Sequence, residues 1–462
     1  MPTSTEETTQ LAAEVIREAP RPLSPVNRGI GSLRSRLLAV PGVAKLIPFG
    51  YSLADQGLAI GGIFLANVAL ARTQTKEEYG AFALSYSVFT FLSGVHNAAI
   101  LEPYTVYGSG RYRERFSAYL RLMTRGHALL GLLLSGIVLL ASLLFWWIDP
   151  HRASRAFVGL GLTVGVLLSG IFLRRAFYVR RQPALAAKSS LIFFVTVAFA
   201  LWVAVRTHHL NSFSVFLILA LGWIVAGARY AGKLVFTQTP ETFLEREPEY
   251  WGLHWKYSRW VLITAFVFQL TTQGYYWLVA AFLSVKEVGE LRAMYNLIAP
   301  ADQVFIAMCY LVLPAMSAHC AMKRMDNLLS LWKRFELAIL AVSGLFALGV
   351  RIWGKQLMHV LYAGKFDDLG SVLFALALLP LLMATGNTMA LALNAAEKPK
   401  LVFYGFLASG VATFVLGIPL VIHFGLSGAV YGMLLSGAIF GIAIGVSFLL
   451  GLYKRQTGVS PA

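Results

Sequence analysis

The feature that most limits this chain is an uncharged run of twenty residues, ALLGLLLSGIVLLASLLFWW at 128–147. About 20 helical residues cross the hydrocarbon core of a bilayer, so runs of this kind read as membrane-spanning helices. Composition agrees, with 57% hydrophobic and 13% charged residues, against about 25% charged in a soluble domain. Within a bilayer a spanning segment must satisfy its own backbone polar groups, which favours helices. The predicted fold class is an all-α polytopic membrane protein.

Twelve spans are predicted, at 48–71, 80–107, 122–147, 156–174, 187–205, 213–233, 257–283, 291–317, 335–353, 370–393, 401–424 and 428–452. If the N-terminus is cytosolic, 28 of the 39 lysines and arginines fall on that side, 10 fall on the other, and Arg125 lies within a span. That bias fits the positive-inside rule and predicts both termini in the cytosol. It also accounts for the net charge of +17 without nucleic acid as a partner. Cys309 and Cys320 give neither a disulfide framework nor a metal spacing. Residues 1–36 lack the apolar core of a signal peptide. Ser4 and Glu7 make a capping-box pattern there, and Pro20, Pro22 and Pro25 follow. SLRSRLLAVPGVAKLI then reads as a segment lying on the membrane surface.

Two stretches 209 residues apart are alike, KEEYGAFALSY at 76–86 and VKEVGELRAMY at 285–295. Glu78 aligns with Glu287, Gly80 with Gly289 and Tyr86 with Tyr295. Each stretch joins an odd span to an even one. The chain therefore divides into an extension (1–47), a first six-helix bundle (48–233), a cytosolic connecting loop (234–256), a second bundle (257–453) and a cytosolic tail (454–462). With six spans each, the bundles have the same orientation and are related by a pseudo-two-fold axis along the membrane normal. Duplicated halves around a central site are common in secondary transporters.

Polar residues inside spans are costly and point to function by default. Asp55 heads a stripe with Ala59, Gly62 and Ala66, about 10 Å past the cytosolic edge. Two readings stand: a site for ion coupling or gating in a water-filled cavity, or a pair with a lysine or arginine at the helix mouth. Asp302 lies near mid-membrane just after Pro300, which loosens the backbone ladder, and it is the first candidate for ion coupling, ahead of a structural hydrogen-bonding role. Arg292, Asn296 and Gln303 share a line from which Asp302 is turned by roughly 80°, and they are candidate cavity contacts for phosphate or sugar. Gln269 and Gln273, four apart, suit sugar hydroxyls or contacts between helices. Arg125 suits phosphate, or snorkels to the interface. His127 has no spaced carboxylate or cysteine beside it.

The stretch HNAAILEPY at 96–104 places His96, Asn97 and Glu102 before a proline. On a regular helix Asn97 and Glu102 point about 140° apart. His96 and Asn97 are thus expected on a cavity face. Glu102 is expected at the cytosolic mouth, as a gate residue or paired with Arg111, Arg113, Arg115 or Arg121. GLLLSG, GVLLSG and GMLLSG are read as helix-packing faces. No metal, nucleotide or nucleophile motif is present.

ADQGLAIGGIFLANVALARTQTKEEYGAFALSY through ILEPYTVYG resembles the first two spans of bacterial polysaccharide and O-antigen flippases (Wzx-like), of the multidrug/oligosaccharidyl-lipid/polysaccharide exporter superfamily. VLPAMSAHCAMKRMD and NAAEKPKL also look like this family. The N-terminal extension departs from it. The resemblance implies two six-helix bundles around a central cavity, in the bacterial inner membrane. It implies alternating access that moves an undecaprenyl-pyrophosphate-linked oligosaccharide between leaflets, with no cofactor and no enzymatic step. A polysaccharide polymerase and a chain-length regulator would be its protein partners. A small-molecule or drug exporter of the same superfamily is the alternative. A membrane polymerase or ligase would need a long outer loop that this chain lacks, and a scaffold would leave Asp302 unexplained.

Overall fold

The computed structural model describes residues 43–109, 112, 116–148, 153–235 and 247–456. The expected N-terminal capping box, the surface segment up to Pro41, Arg111, Arg113, Arg115 and the end of the tail lie outside the described residues, as does 236–246 of the connecting loop. The chain divides into two compact units, Met1–Tyr51 and Ser52–Ala462. The described part of the first unit, from Val43, is helical. All side-chain contacts described below lie in the second.

The described residues form fourteen α-helices and no strand. They are α1 (Val43–Thr73), α2 (Lys76–His96), α3 (Glu102–Ser109), α4 (Phe116–Ile148), α5 (Ala153–Val179), α6 (Pro183–Arg206) and α7 (Ser212–Val235). Then come α8 (Glu247–Phe282), α9 (Val285–Ala321), α10 (Met325–Tyr362), α11 (Gly370–Ala377), α12 (Leu379–Ala395), α13 (Pro399–Val415) and α14 (Gly417–Gln456). Every predicted span coincides with a helix or a closely joined pair. Gly425, at φ 59°, breaks α14 and accounts for the predicted boundary between the last two spans. Among the described residues nine helices are long and apolar enough to cross a membrane, as expected of an integral membrane protein. α8 and α9 are not among the nine; they carry Gln269, Gln273, Arg292, Asn296, Asp302 and Gln303. α8 begins at Glu247, ten residues before the predicted span.

The internal repeat is visible as contact geometry. Thr75 caps α2 by accepting from the Glu78 N–H, and Ser284, 209 residues on, caps α9 by accepting from the Lys286 N–H. The Ser284 hydroxyl also bonds Glu287, the counterpart of Glu78. Both starts follow the Ser/Thr-x-x-Glu pattern of an N-terminal cap. α2 and α9 then cross at their repeat-related glycines. A Cβ on Gly80 would fall 1.8 Å from the Val285 carbonyl oxygen, and one on Gly289 would fall 2.8 Å from that of Lys76. Since Val285 is itself the counterpart of Lys76, the contact is reciprocal, as a two-fold axis between the glycines requires. Only glycine permits this approach.

Helix α2 is tied to α8 further along its length. The Trp277 indole donates to Ser87 Oγ at 3.0 Å, and the Gln269 amide packs on Gly94. Below the glycine crossing α9 is closed in, with Val288, Leu291, Ala293, Met294 and Ile298 all fully buried. Beyond Pro300 the same helix opens, and Gln303, Val304 and Ile306 are exposed.

Candidate functional site

Asp302 lies where α9 begins to open. It lines a cavity with Tyr295, Ser343, Pro380 and Asn387, walled by Ile298, Phe305, Ile339 and Met383. The Tyr295 hydroxyl, two turns back on the same helix, donates to Asp302 Oδ2 at 2.8 Å. None of the ion pairs among the described residues includes Asp302. The cavity thus holds a carboxylate with one neutral donor, beside a hydroxyl and an amide. A carboxylate in that setting can take up a cation or a proton without first releasing a protein cation.

Asp55 is placed differently. It is fully buried. Arg174 grips it with both arms of the guanidinium, Nε to Oδ1 at 2.9 Å and Nη2 to Oδ2 at 2.7 Å. Tyr178 donates to Oδ2 at 2.7 Å and Ser190 to Oδ1 at 2.5 Å. The small stripe beyond it, Ala59, Gly62 and Ala66, is buried, and the Phe193 ring of α6 fills the space a Gly62 side chain would take. Of the two arrangements open from sequence, Asp55 adopts the ion pair, here bidentate.

The HNAAILEPY stretch departs from a regular helix. Asn97–Leu101 forms a π-turn, closed by the Glu102 N–H donating to the Asn97 carbonyl. The i to i+5 register stacks residues that an α-helix would splay. Asn97 Nδ2 therefore reaches Glu102 Oε1 at 3.1 Å, which corrects the expected 140° separation. Pro103 supplies the physical reason. Its missing N–H would have bonded the Ala99 carbonyl, and the Ser258 hydroxyl of α8 bonds that oxygen instead, at 3.2 Å. Glu102 pairs with none of the arginines expected for it that are described. Arg175 is the cation acting on it, and Arg175 Nη2 also donates to Asn97 Oδ1 at 3.3 Å.

His96 is fully buried, which corrects its expected place on a cavity face. Its Nε2 meets His127 Nδ1 at 2.9 Å, and His127 Nε2 meets Ser169 Oγ at 2.8 Å. Ser169 spends its proton on the Gly165 carbonyl, at 2.8 Å. This assigns the tautomers: His127 donates from Nε2, His96 donates from Nε2, and the buried His96 Nδ1 is left bare and unpartnered. His127, which has no spaced carboxylate or cysteine in the sequence, is buried and has His96 as its companion. Their separation of 31 positions in the chain concealed the pair.

Arg292 and Asn296 join the two halves. Arg292 Nε donates to Asn67 Oδ1 at 3.2 Å, with its guanidinium 4.6 Å from the Tyr86 ring centre. Asn296 Nδ2 donates to the Tyr79 hydroxyl at 2.9 Å and lies 3.5 Å from that of Tyr362. Gln303 does not join them. It is exposed beyond Pro300, so the shared line expected from sequence divides between a closed stretch of helix and an open one. Gln269 accepts from Thr272 at 3.4 Å, and Gln273 donates to Thr272 at 3.4 Å. Both amides thus have partners on their own helix. Arg125 is exposed on α4.

No protein-family model and no curated protein matches this sequence. Solved structures do match the fold. An inward-facing multidrug resistance MATE family transporter of the MOP superfamily aligns with a TM-score of 0.72 at 11% identity, covering 87% of this chain and 95% of its own. The lipid II flippase MurJ, in an inward closed conformation, aligns at 0.65 with 13% identity over 90% and 94%. A MOP superfamily transporter from Pyrococcus furiosus, described by the reversed polarity of its binding pocket, aligns at 0.62 with 10% identity over 94% and 99%. Along nearly its whole described length, this chain has the fold of the MOP-superfamily transporters.

Proposed function

We propose that this protein is a secondary transporter that flips an undecaprenyl-pyrophosphate-linked oligosaccharide across a bacterial inner membrane by alternating access. The observation that carries the reading is a two-half fold, shared with a lipid flippase, in which a carboxylate without a cation lines a cavity where the central helix opens. In this reading the face bearing the 74–75 and 283–284 connections is the outer one, and the halves open toward the cytosol beyond Pro300. Asp302 binds the coupling ion. Glu102, Asn97 and Arg175 stand at the cytosolic mouth as gate and first contacts for the head group. Arg125 and the exposed Gln303 are further contacts for phosphate or sugar. A polysaccharide polymerase and chain-length regulator would act on the product.

Deleting the protein is expected to leave unpolymerised lipid-linked repeat units on the cytosolic leaflet. If such units still reach the outer leaflet of the deleted strain, the substrate assignment fails. The multidrug neighbour supports a second reading, export of small molecules. That reading predicts drug sensitivity in the same strain with repeat units translocated normally.

A further inference from the structure

Two lysines cross between the halves at the face bearing the short connections, and they cross in opposite directions. Lys76, at the start of α2, places Nζ 2.8 Å from Glu290 Oε1 on α9 and 3.5 Å from Asp368 Oδ1 beyond α10. Its ammonium lies 5.1 Å from the centre of the Phe366 ring. Lys365, from the segment after α10, reaches back to the end of α1. There Nζ donates to the carbonyls of Arg72 at 2.8 Å and Gln74 at 2.6 Å, and lies 3.4 Å from that of Ala71. The last carbonyls of a helix have no partner within it and carry the negative end of its dipole. Lys365 therefore caps a helix of the other half. Arg72 Nη1 adds a bond to the Val360 carbonyl at 3.4 Å.

The internal repeat shows that the Lys76–Glu290 pair is an addition to the shared framework. Under the 209-residue offset, Lys76 corresponds to Val285 and Glu290 to Ala81. The symmetry-related pair is apolar, so the ion pair is made once. The glycine crossing next to it is made twice over and would survive a rocking of one half on the other. The lysine contacts would not. Glu290 has 8% of its side chain exposed, so separating the pair requires both groups to be hydrated again.

Building on the transporter reading, we propose that Lys76 and Lys365 form a double latch holding this face shut, with the Gly80–Gly289 contact as the pivot beside it. The face opens only when both lysines let go. The layer of Asn67, Tyr79, Arg292, Asn296 and Tyr362 beneath then parts.

The test uses the purified full chain, with Cys309→Ser and Cys320→Ser as background and Ser87→Cys as reporter. Ser87 is 1% exposed and lies beneath the latch. A charged, membrane-impermeant maleimide reads its accessibility. The double variant Lys76→Met/Lys365→Met is expected to label about fivefold faster or more, the factor for losing about 1 kcal/mol of closed-state preference. Unchanged labelling in a folded double variant overturns the latch. A charge swap keeps the test open if that variant does not fold. Lys76→Glu alone should label fast, and adding Glu290→Lys should return it to the slow rate. Equal rates in those two variants also overturn the latch. Labelling is read without substrate, so the latch can fail while the flippase reading stands, and the reverse.

Discussion

Asp55 and Asp302 are both carboxylates set deep in long helices, one in each half, and their surroundings are opposite. Asp55 accepts four hydrogen bonds from three side chains, two of them from one guanidinium. Asp302 accepts one, from a tyrosine on its own helix. Desolvating a charge is repaid only by close and complete partnering, so Asp55 belongs to the framework. Asp302 has coordination to spare and a cavity beside it. The difference teaches that position within a span selects candidates, whereas unfilled valence marks which of them is free to take up a ligand.

Three substitutions break or sharpen this contrast. The largest effect on stability is expected from Asp55→Asn, which leaves the Arg174 charge buried and unpaired at a cost of about 3–5 kcal/mol. Thermal unfolding in detergent should show it. Asp55→Leu combined with Arg174→Met should recover most of the loss, because neither charge then remains. A double variant as unstable as the single one would contradict the ion-pair account. Ser190→Ala comes next. It removes one of four bonds to the same carboxylate, with an expected cost of about 1.5 kcal/mol and little change in transport. Asp302→Asn should be the smallest on stability, within about 1 kcal/mol, since Tyr295 can still donate to the amide oxygen. Transport should nevertheless collapse in reconstituted vesicles. Full transport by a folded Asp302→Asn protein would place ion coupling elsewhere.

Much of this was legible in the chain. Apolar run length gave the helices, because spanning a bilayer is a constraint on single segments. The 209-residue offset gave the two halves, and the glycines it aligned prove to touch each other. The Ser/Thr-x-x-Glu patterns at Thr75–Glu78 and Ser284–Glu287 were equally visible and would have fixed the starts of α2 and α9 more sharply. What stayed hidden was partnership over distance. Nothing local to Asp55 indicates that Arg174, 119 residues away, will take it. His96 and His127 carry no spacing signal. The π-turn is an intermediate case. Pro103 announces a missing donor, but whether the helix breaks, kinks or shifts register depends on who replaces that donor, and Ser258 lies 159 residues beyond the Ala99 carbonyl it bonds.

That replacement bears on how the protein is made. The first seven helices are synthesised before α8, so they leave the ribosome with the Ala99 carbonyl still lacking its hydroxyl. Until α8 arrives, that oxygen depends on water reaching the mouth beside Glu102. The opening of the eighth helix supplies the missing bond, and the Tyr119 hydroxyl meets His254 at 2.5 Å on the same segment. The turn that presents Asn97 and Glu102 is therefore completed from the other half of the chain, by Ser258.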